Sequence, residues 1–222
     1  ASAPPLIAQA SAPASAAAAN EPAPWLPRAY RNRGVVMVAQ NAQCARCHLD
    51  AARQHAGSRH QRATVNPAFR AALAIEPTAF CRGCHAPEAD PREETPAALR
   101  DLGVGCVTCH TDDAGNVHAV ARAGRPSEEI AGGHTIVRSA AFGGPGACAS
   151  CHEFRFEAMR GDGDEHHMQT TVREHARGPF ADTSCAGCHM PTDAGGKHDH
   201  WFKGVRDPEF LRASLTVSAE AL

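Results

Sequence analysis

Large apolar residues are thinly spread along this chain, and no single period organises them from end to end. Residues 1–35 (ASAPPLIAQASAPASAAAANEPAPWLPRAYRNRGV) are rich in Ala, Pro and Ser and hold few side chains able to fill a core. That composition predicts an arm or linker, with Trp25, Leu26 and Tyr30 as its candidate anchors. Further on, local patterns predict helices around 48–62, 66–75, 152–160, 168–177 and 207–214. Asn66 before Pro67 and Asp207 before Pro208 read as caps followed by a proline suited to the first turn. Gly/Pro clusters at Gly103, Gly105, Gly132, Gly133, Gly143–Gly146, Gly195 and Gly196 punctuate the connections as turns. The expected domain plan is an arm over 1–35, one body over 36–205 and a short helical tail over 206–222. No run of eighteen apolar residues predicts a membrane-spanning helix.

The composition sharpens this picture. The chain has 222 residues but only 8 Phe, 2 Trp and 1 Tyr, and much of its apolar count is Ala. An ordinary protein core needs more. What the chain has in excess is Cys and His, 10 and 14 respectively. All ten cysteines fall into five copies of Cys-x-x-Cys-His: Cys44/Cys47/His48, Cys81/Cys84/His85, Cys106/Cys109/His110, Cys148/Cys151/His152 and Cys185/Cys188/His189. Each copy reads as a c-type haem attachment site. Two thiols form thioethers with the haem vinyl groups and the adjoining His supplies the proximal imidazole. Structural zinc needs two Cys pairs, or a pair with two spaced His, and gives no reason for a His after every second Cys. A disulfide framework does not demand one spacing five times over, and no βαβ pattern supports a redox dithiol.

Five haem c groups would supply the missing core, at about 44 residues of chain for each. The fold class expected is therefore mainly α with extensive irregular loops around a haem core, and little or no sheet. The formal side-chain charge is −2, to which haem propionates add negative charge. Arginine forks at Arg46, Arg53, Arg59, Arg62, Arg82, Arg138, Arg155 and Arg173 are candidates to pair with them. The basic residues are scattered, so no nucleic-acid surface is expected. Covalent haem attachment takes place outside the cytoplasm, so a periplasmic or extracellular protein is expected, exported on a leader since removed.

Nine histidines remain after the five proximal ones: His55, His60, His118, His134, His166, His167, His175, His198 and His200. Imidazole on both faces of an iron gives a six-coordinate, electron-transfer haem. The segment His55-x-x-Ser58-x-His60 leads to the second motif, and Gly103-Val-Gly-Cys106-Val-Thr-Cys109-His110 is followed by His118. Together they resemble the tetrahaem cytochrome c of ammonia oxidation and its multihaem relatives. Cys188-His189-Met190-Pro191 with His200-Trp-Phe202-Lys-Gly204 is similar to the closing motif in relatives of hydroxylamine oxidoreductase and pentahaem nitrite reductase. The resemblance implies distal ligands at His60, His118 and His200. His134, in Gly-Gly-His-Thr, is a further candidate; His167 or His175, with His166 as an alternative, are candidates for the fifth, and His198 is an alternative to His200.

A protein with every iron six-coordinate moves electrons between redox partners, which include other cytochromes or copies of itself in a filament. The competing reading is a small reductase of nitrogen oxyanions at one five-coordinate haem. Against it, the chain has no Cys-x-x-Cys-Lys motif, and its only tyrosine, Tyr30, lies outside the haem region.

Overall fold

A computed structural model describes residues 25–155 and 167–215. Among them are ten short helices: α1 (Val36–Cys47), α2 (Leu49–His55), α3 (Pro67–Ile75), α4 (Ala79–His85), α5 (Ala97–Leu102), α6 (Cys106–His110), α7 (Gly146–His152), α8 (Thr171–Arg177), α9 (Cys185–His189) and α10 (Pro208–Ser214). Every Cys-x-x-Cys-His motif closes one of these helices, so each His sits at a helix C-terminus. The two proline-led helices begin as expected. Asn66 Oδ1 accepts from the backbone N–H of Ala68 and Phe69, and Asp207 Oδ1 from that of Phe210.

The expectation of little or no sheet is overturned. Five strands form two small sheets, so the class is mixed α and β. β1 (Val117–Val120) pairs parallel with β3 (His134–Ser139), and β2 (Glu128–Ala131) pairs antiparallel with β3, in the order β1-β3-β2. The link from β2 to β3 is Gly132–Gly133, at φ 61° and 83°. Two positive φ values make the two-residue turn whose twist suits a hairpin, and only glycine adopts both without strain. β4 (Glu153–Arg155) and β5 (His167–Thr170) form the second sheet. They occupy the starts of the helices expected at 152–160 and 168–177. The helix of the latter begins only at Thr171, and the rest of the former lies outside the described residues. Cross-strand pairing overrode local helix preference here.

The apolar core is small: Met37, Ala86, Ala89, Leu99, Leu102 and Val107. A polar centre adjoins it. Glu88, 1 % exposed, accepts two hydrogen bonds from Arg33 (2.8 and 2.6 Å) and one from the Thr108 hydroxyl (2.9 Å). A buried carboxylate so paired is tolerable, and costly to leave alone. Arg33 also reaches the carbonyls of Val107 and Thr111. Glu88→Ala leaves that guanidinium buried without its partner, and is expected to cost about 3–5 kcal/mol. Chemical denaturation of the haem-loaded protein measures it, and a loss below about 1 kcal/mol would contradict the assignment.

Candidate haem-attachment site

The ten cysteines are all free thiols, so none is spent on a disulfide. Burial raises the thiols of Cys44, Cys81, Cys106, Cys109 and Cys148, with Cys109 pushed up to about 12 and Cys148 to about 11. Neutral, desolvated thiols are poor nucleophiles and poor redox dithiols. The motifs also adjoin one another. Cys84 and Cys151 lie within hydrogen-bonding reach, as do Cys148 and Cys185, which joins the fourth motif to the second and to the fifth. α1, carrying the first motif, packs against α6, carrying the third. Asn41 Oδ1 on α1 accepts from the Val107 N–H of the third motif.

The motif histidines face other histidines from distant parts of the chain. His48 stands opposite His134 with ring centres 6.4 Å apart, His60 opposite His152 at 6.1 Å, and His110 opposite His200 at 6.3 Å. Two imidazoles on one metal, each bonded at about 2.0–2.1 Å, have ring centres about 6.3 Å apart, since each ring centre lies ~1.15 Å behind the bonded nitrogen. All three gaps match that span. Among the described residues no group of three or more His, Cys, Asp or Glu converges as a protein-only metal site requires. The donors thus fit a group that supplies its own equatorial ligands, as haem does.

Hydrogen bonds fix several ring tautomers. Nδ1 of His85 donates to the Ala63 carbonyl (2.9 Å), that of His110 to the His118 carbonyl (2.9 Å) and that of His189 to the Lys203 carbonyl (2.6 Å). Nδ1 of His200 donates to the His198 carbonyl (2.8 Å). A proton held on Nδ1 leaves the Nε2 lone pair for a metal. Nδ1 of His60 and of His134 is buried without a partner.

The other candidates are placed differently. The ring of His118 stacks on Trp25 (5.1 Å), and its Nε2 donates to Asp112 Oδ2 (2.9 Å). What His118 gives the third motif is its backbone carbonyl. His175 is half-buried, and its Nε2 pairs with the Thr183 carbonyl (2.9 Å). His167 sits half-buried on β5, opposite Arg155. His198 Nδ1 donates to the Met190 carbonyl, and His55 Nε2 pairs with that of Val104. His166 lies outside the described residues. Arg138 and Arg173 pair with the protein carboxylates Glu129 and Glu153.

Two features go beyond the reading of the sequence, which named Tyr30 as an anchor of the arm but not the loops that the arm would cross. Residues 29–33 cross three attachment loops. The Ala29 N–H donates to Ser150 Oγ in the fourth motif (2.8 Å) and the Tyr30 N–H to the Gly83 carbonyl in the second (2.9 Å). Arg33 Nη2 donates to the Val107 carbonyl in the third (2.9 Å). The Tyr30 ring lies so close over Gly83 that a Cβ there would stand 2.2 Å from it, so a larger residue at this motif position would displace the ring. Three arginines within six residues (Arg28, Arg31 and Arg33) were the available signal. The second feature is Phe202, whose ring meets His60 edge-on at 4.2 Å and His200 at 6.3 Å, from a backbone at φ 59°. A bulky residue in the left-handed region is unusual, and here it separates two of the facing pairs.

Paired imidazoles beside thiol pairs on short helices make up the donor set of a c-type cytochrome. Residues 43–111, which span the first three motifs, match the family described as Cytochrome c554 and c-prime, which supports membership of a c-type cytochrome family and a role in electron transfer through c-type haem. No curated protein and no solved structure matches the chain. No described helix is long and apolar enough to cross a membrane.

Burial depresses the basicity of His55, His60, His85, His110, His152 and His200, with His60 lowered to about 4 from an ordinary 6.5. Because the folded-state values are the lower ones, the associated stability is complete above about pH 6.5. It is lost as the pH falls through the window from 6.5 to 4, with His60 alone contributing on the order of 3 kcal/mol. A metal on the same nitrogens acts in the same direction. Denaturation midpoints measured from pH 7 to pH 4 should fall steadily, and a flat profile would disprove the linkage.

Proposed function

We propose that this protein binds five haem c groups covalently, one at each Cys-x-x-Cys-His motif, and passes electrons along them between redox partners outside the cytoplasm. The observation that carries the reading is the set of three imidazole pairs at 6.1–6.4 Å. His48 with His134, His110 with His200 and His152 with His60 are the axial ligands of the first, third and fourth haems. His85 and His189 are the proximal ligands of the second and fifth. Contacts between motifs support a connected path, the third and fourth lying close enough for Cys109 to interact electrostatically with Cys148 and Cys151. The first adjoins the third through α1 and α6, and the fourth adjoins the second and the fifth through thiol contacts. The haems supply the redox chemistry when bound. The chain's own residues hold ring tautomers, exclude water from the imidazoles and set the spacing.

Two imidazoles on an iron leave no place for a substrate, so such haems serve as carriers, at potentials below those of Met/His cytochromes. Alkaline pyridine haemochrome analysis with intact mass should give five haems per chain; fewer would refute the count. Ring planes in the His60–His152 pair cross at 85°, against 34° and 37° in the other two. Crossed ligand planes leave the iron dxz and dyz orbitals nearly degenerate. One low-spin ferric signal should therefore show a markedly larger maximum g value than the two from near-parallel pairs. Three alike signals would contradict these ligand sets.

A second reading rests on His85 and His189. Their ring contacts are with Phe69 (3.9 Å, stacked) and Phe210 (5.1 Å), and among the described residues no second imidazole ring faces either. An iron at one of them with an open face would take small ligands and favour the reduction of nitrite, hydroxylamine or nitric oxide. Carbon monoxide added to the fully reduced protein decides. A Soret shift worth one or two of the five haems supports an open iron, and an unchanged spectrum removes the reductase reading.

A further inference from the structure

The segment that crosses the attachment loops carries a buried guanidinium that the protein does not satisfy. The Arg31 side chain is 1 % exposed. Its Nη2 donates to the Thr111 carbonyl (2.9 Å) and to Asp113 Oδ1 (2.7 Å). Its Nε and Nη1 are buried and have no partner, and neither has Nε of neighbouring Arg28, whose Nη2 also binds Asp113. The neighbouring carboxylates are all committed. Asp113 divides its two oxygens between Arg28 and Arg31. Asp112 accepts from His118, from both nitrogens of Asn116 and from the Ala114 N–H. Glu88 is engaged by Arg33 and Thr108. Arg31 also lines a cavity of about 330 Å³ with Arg33, Met37, Gln40 and Asp113 among its walls.

Two unpaired N–H-bearing nitrogens on buried Arg31, with a covered third on the part-exposed Arg28, call for an acceptor with several lone pairs, and a carboxylate matches the guanidinium fork. We infer that Arg31, backed by Arg28, is an anion site for a carboxylate, supplied by a propionate of a haem held against residues 28–33. This rests on haem loading as proposed above. Arg31 is a positioning residue: it holds the haem edge and places positive charge near an iron. It is absent from the arginines that the sequence suggested for this task, because it lies in the arm rather than beside a motif.

The test is a spectroelectrochemical titration of the five-haem protein with Arg31→Gln, Arg31→Lys and Arg28→Gln variants, each checked first for full haem content and an unaltered oxidised spectrum. Removing positive charge beside a haem favours its ferric state. Arg31→Gln should move one component to lower potential, a roughly tenfold weaker reduction equilibrium, while the other four stay in place. Arg31→Lys, which keeps the charge but loses the fork, should shift the same component less, as should Arg28→Gln, whose side chain is 39 % exposed. A parallel arm adds acetate or inorganic phosphate to the wild type. If the potentials and melting temperature ignore the added anion, the carboxylate is the haem's own. If they respond and Arg31→Gln abolishes the response, the site takes a free anion and the propionate source is refuted. If no component moves in any variant and no anion dependence appears, the anion site itself is overturned. The haem count of the wild type is separate from these outcomes, so a failure here leaves the proposed function standing.

Discussion

Holding two imidazoles with their centres about 6 Å apart is the constraint to which the rest of the molecule answers. The partners in each pair come from opposite halves of the described chain, so local structure alone cannot set the gap. Each motif imidazole is held at the C-terminal end of a helix of five to twelve residues. The facing rings come from other kinds of structure: a turn after α2 for His60, the start of β3 for His134, and a loop before α10 for His200. Burial makes His60, His110, His152 and His200 worse bases, which keeps their lone pairs available at neutral pH. The same desolvation ties the stability of the fold to the neutrality of its histidines.

The scaffold does this with little hydrocarbon. Six buried apolar residues, two of them alanines, make up the described core cluster, and the charged Glu88–Arg33 pair stands beside it. Polar groups replace apolar packing where loops must be held at fixed distances. Hydrogen bonds have defined lengths and directions, whereas an alanine-rich surface packs with little selectivity. Residues 29–33 show the principle, since Ala29, Tyr30 and Arg33 reach the fourth, second and third motif loops in turn. A segment that composition marks as a linker is thereby a structural tie, because its backbone donors and arginines, and not its apolar content, make the contacts.

The two small sheets have a similar origin. Val117–Val120 and His134–Ser139 are short and rich in β-branched residues, and Gly132-Gly133 is a hairpin turn by its chemistry. Those signals were present in the chain, yet the small allotment of residues per motif argued for helices and loops alone. The β1–β3 pairing explains why sheet is worth forming here. It positions the His118 carbonyl under His110 and delivers His134 opposite His48.

By itself, the sequence carried the reading of haem attachment. Cys-x-x-Cys-His is a local pattern in which one helical turn sets thiols and imidazole together, so no tertiary information is needed to read it. Local pattern also placed the caps at Asn66 and Asp207, since capping depends on neighbours two and three residues away. The pairing of the rings was decided only in the tertiary structure. Nothing within a few residues of His60 or His200 tells which motif each will face, and His118 and His134, both candidates from the sequence, occupy different places. The reason is physical: an axial pair is a contact between distant segments, and its distance is set by every strand, turn and arginine that lies between them.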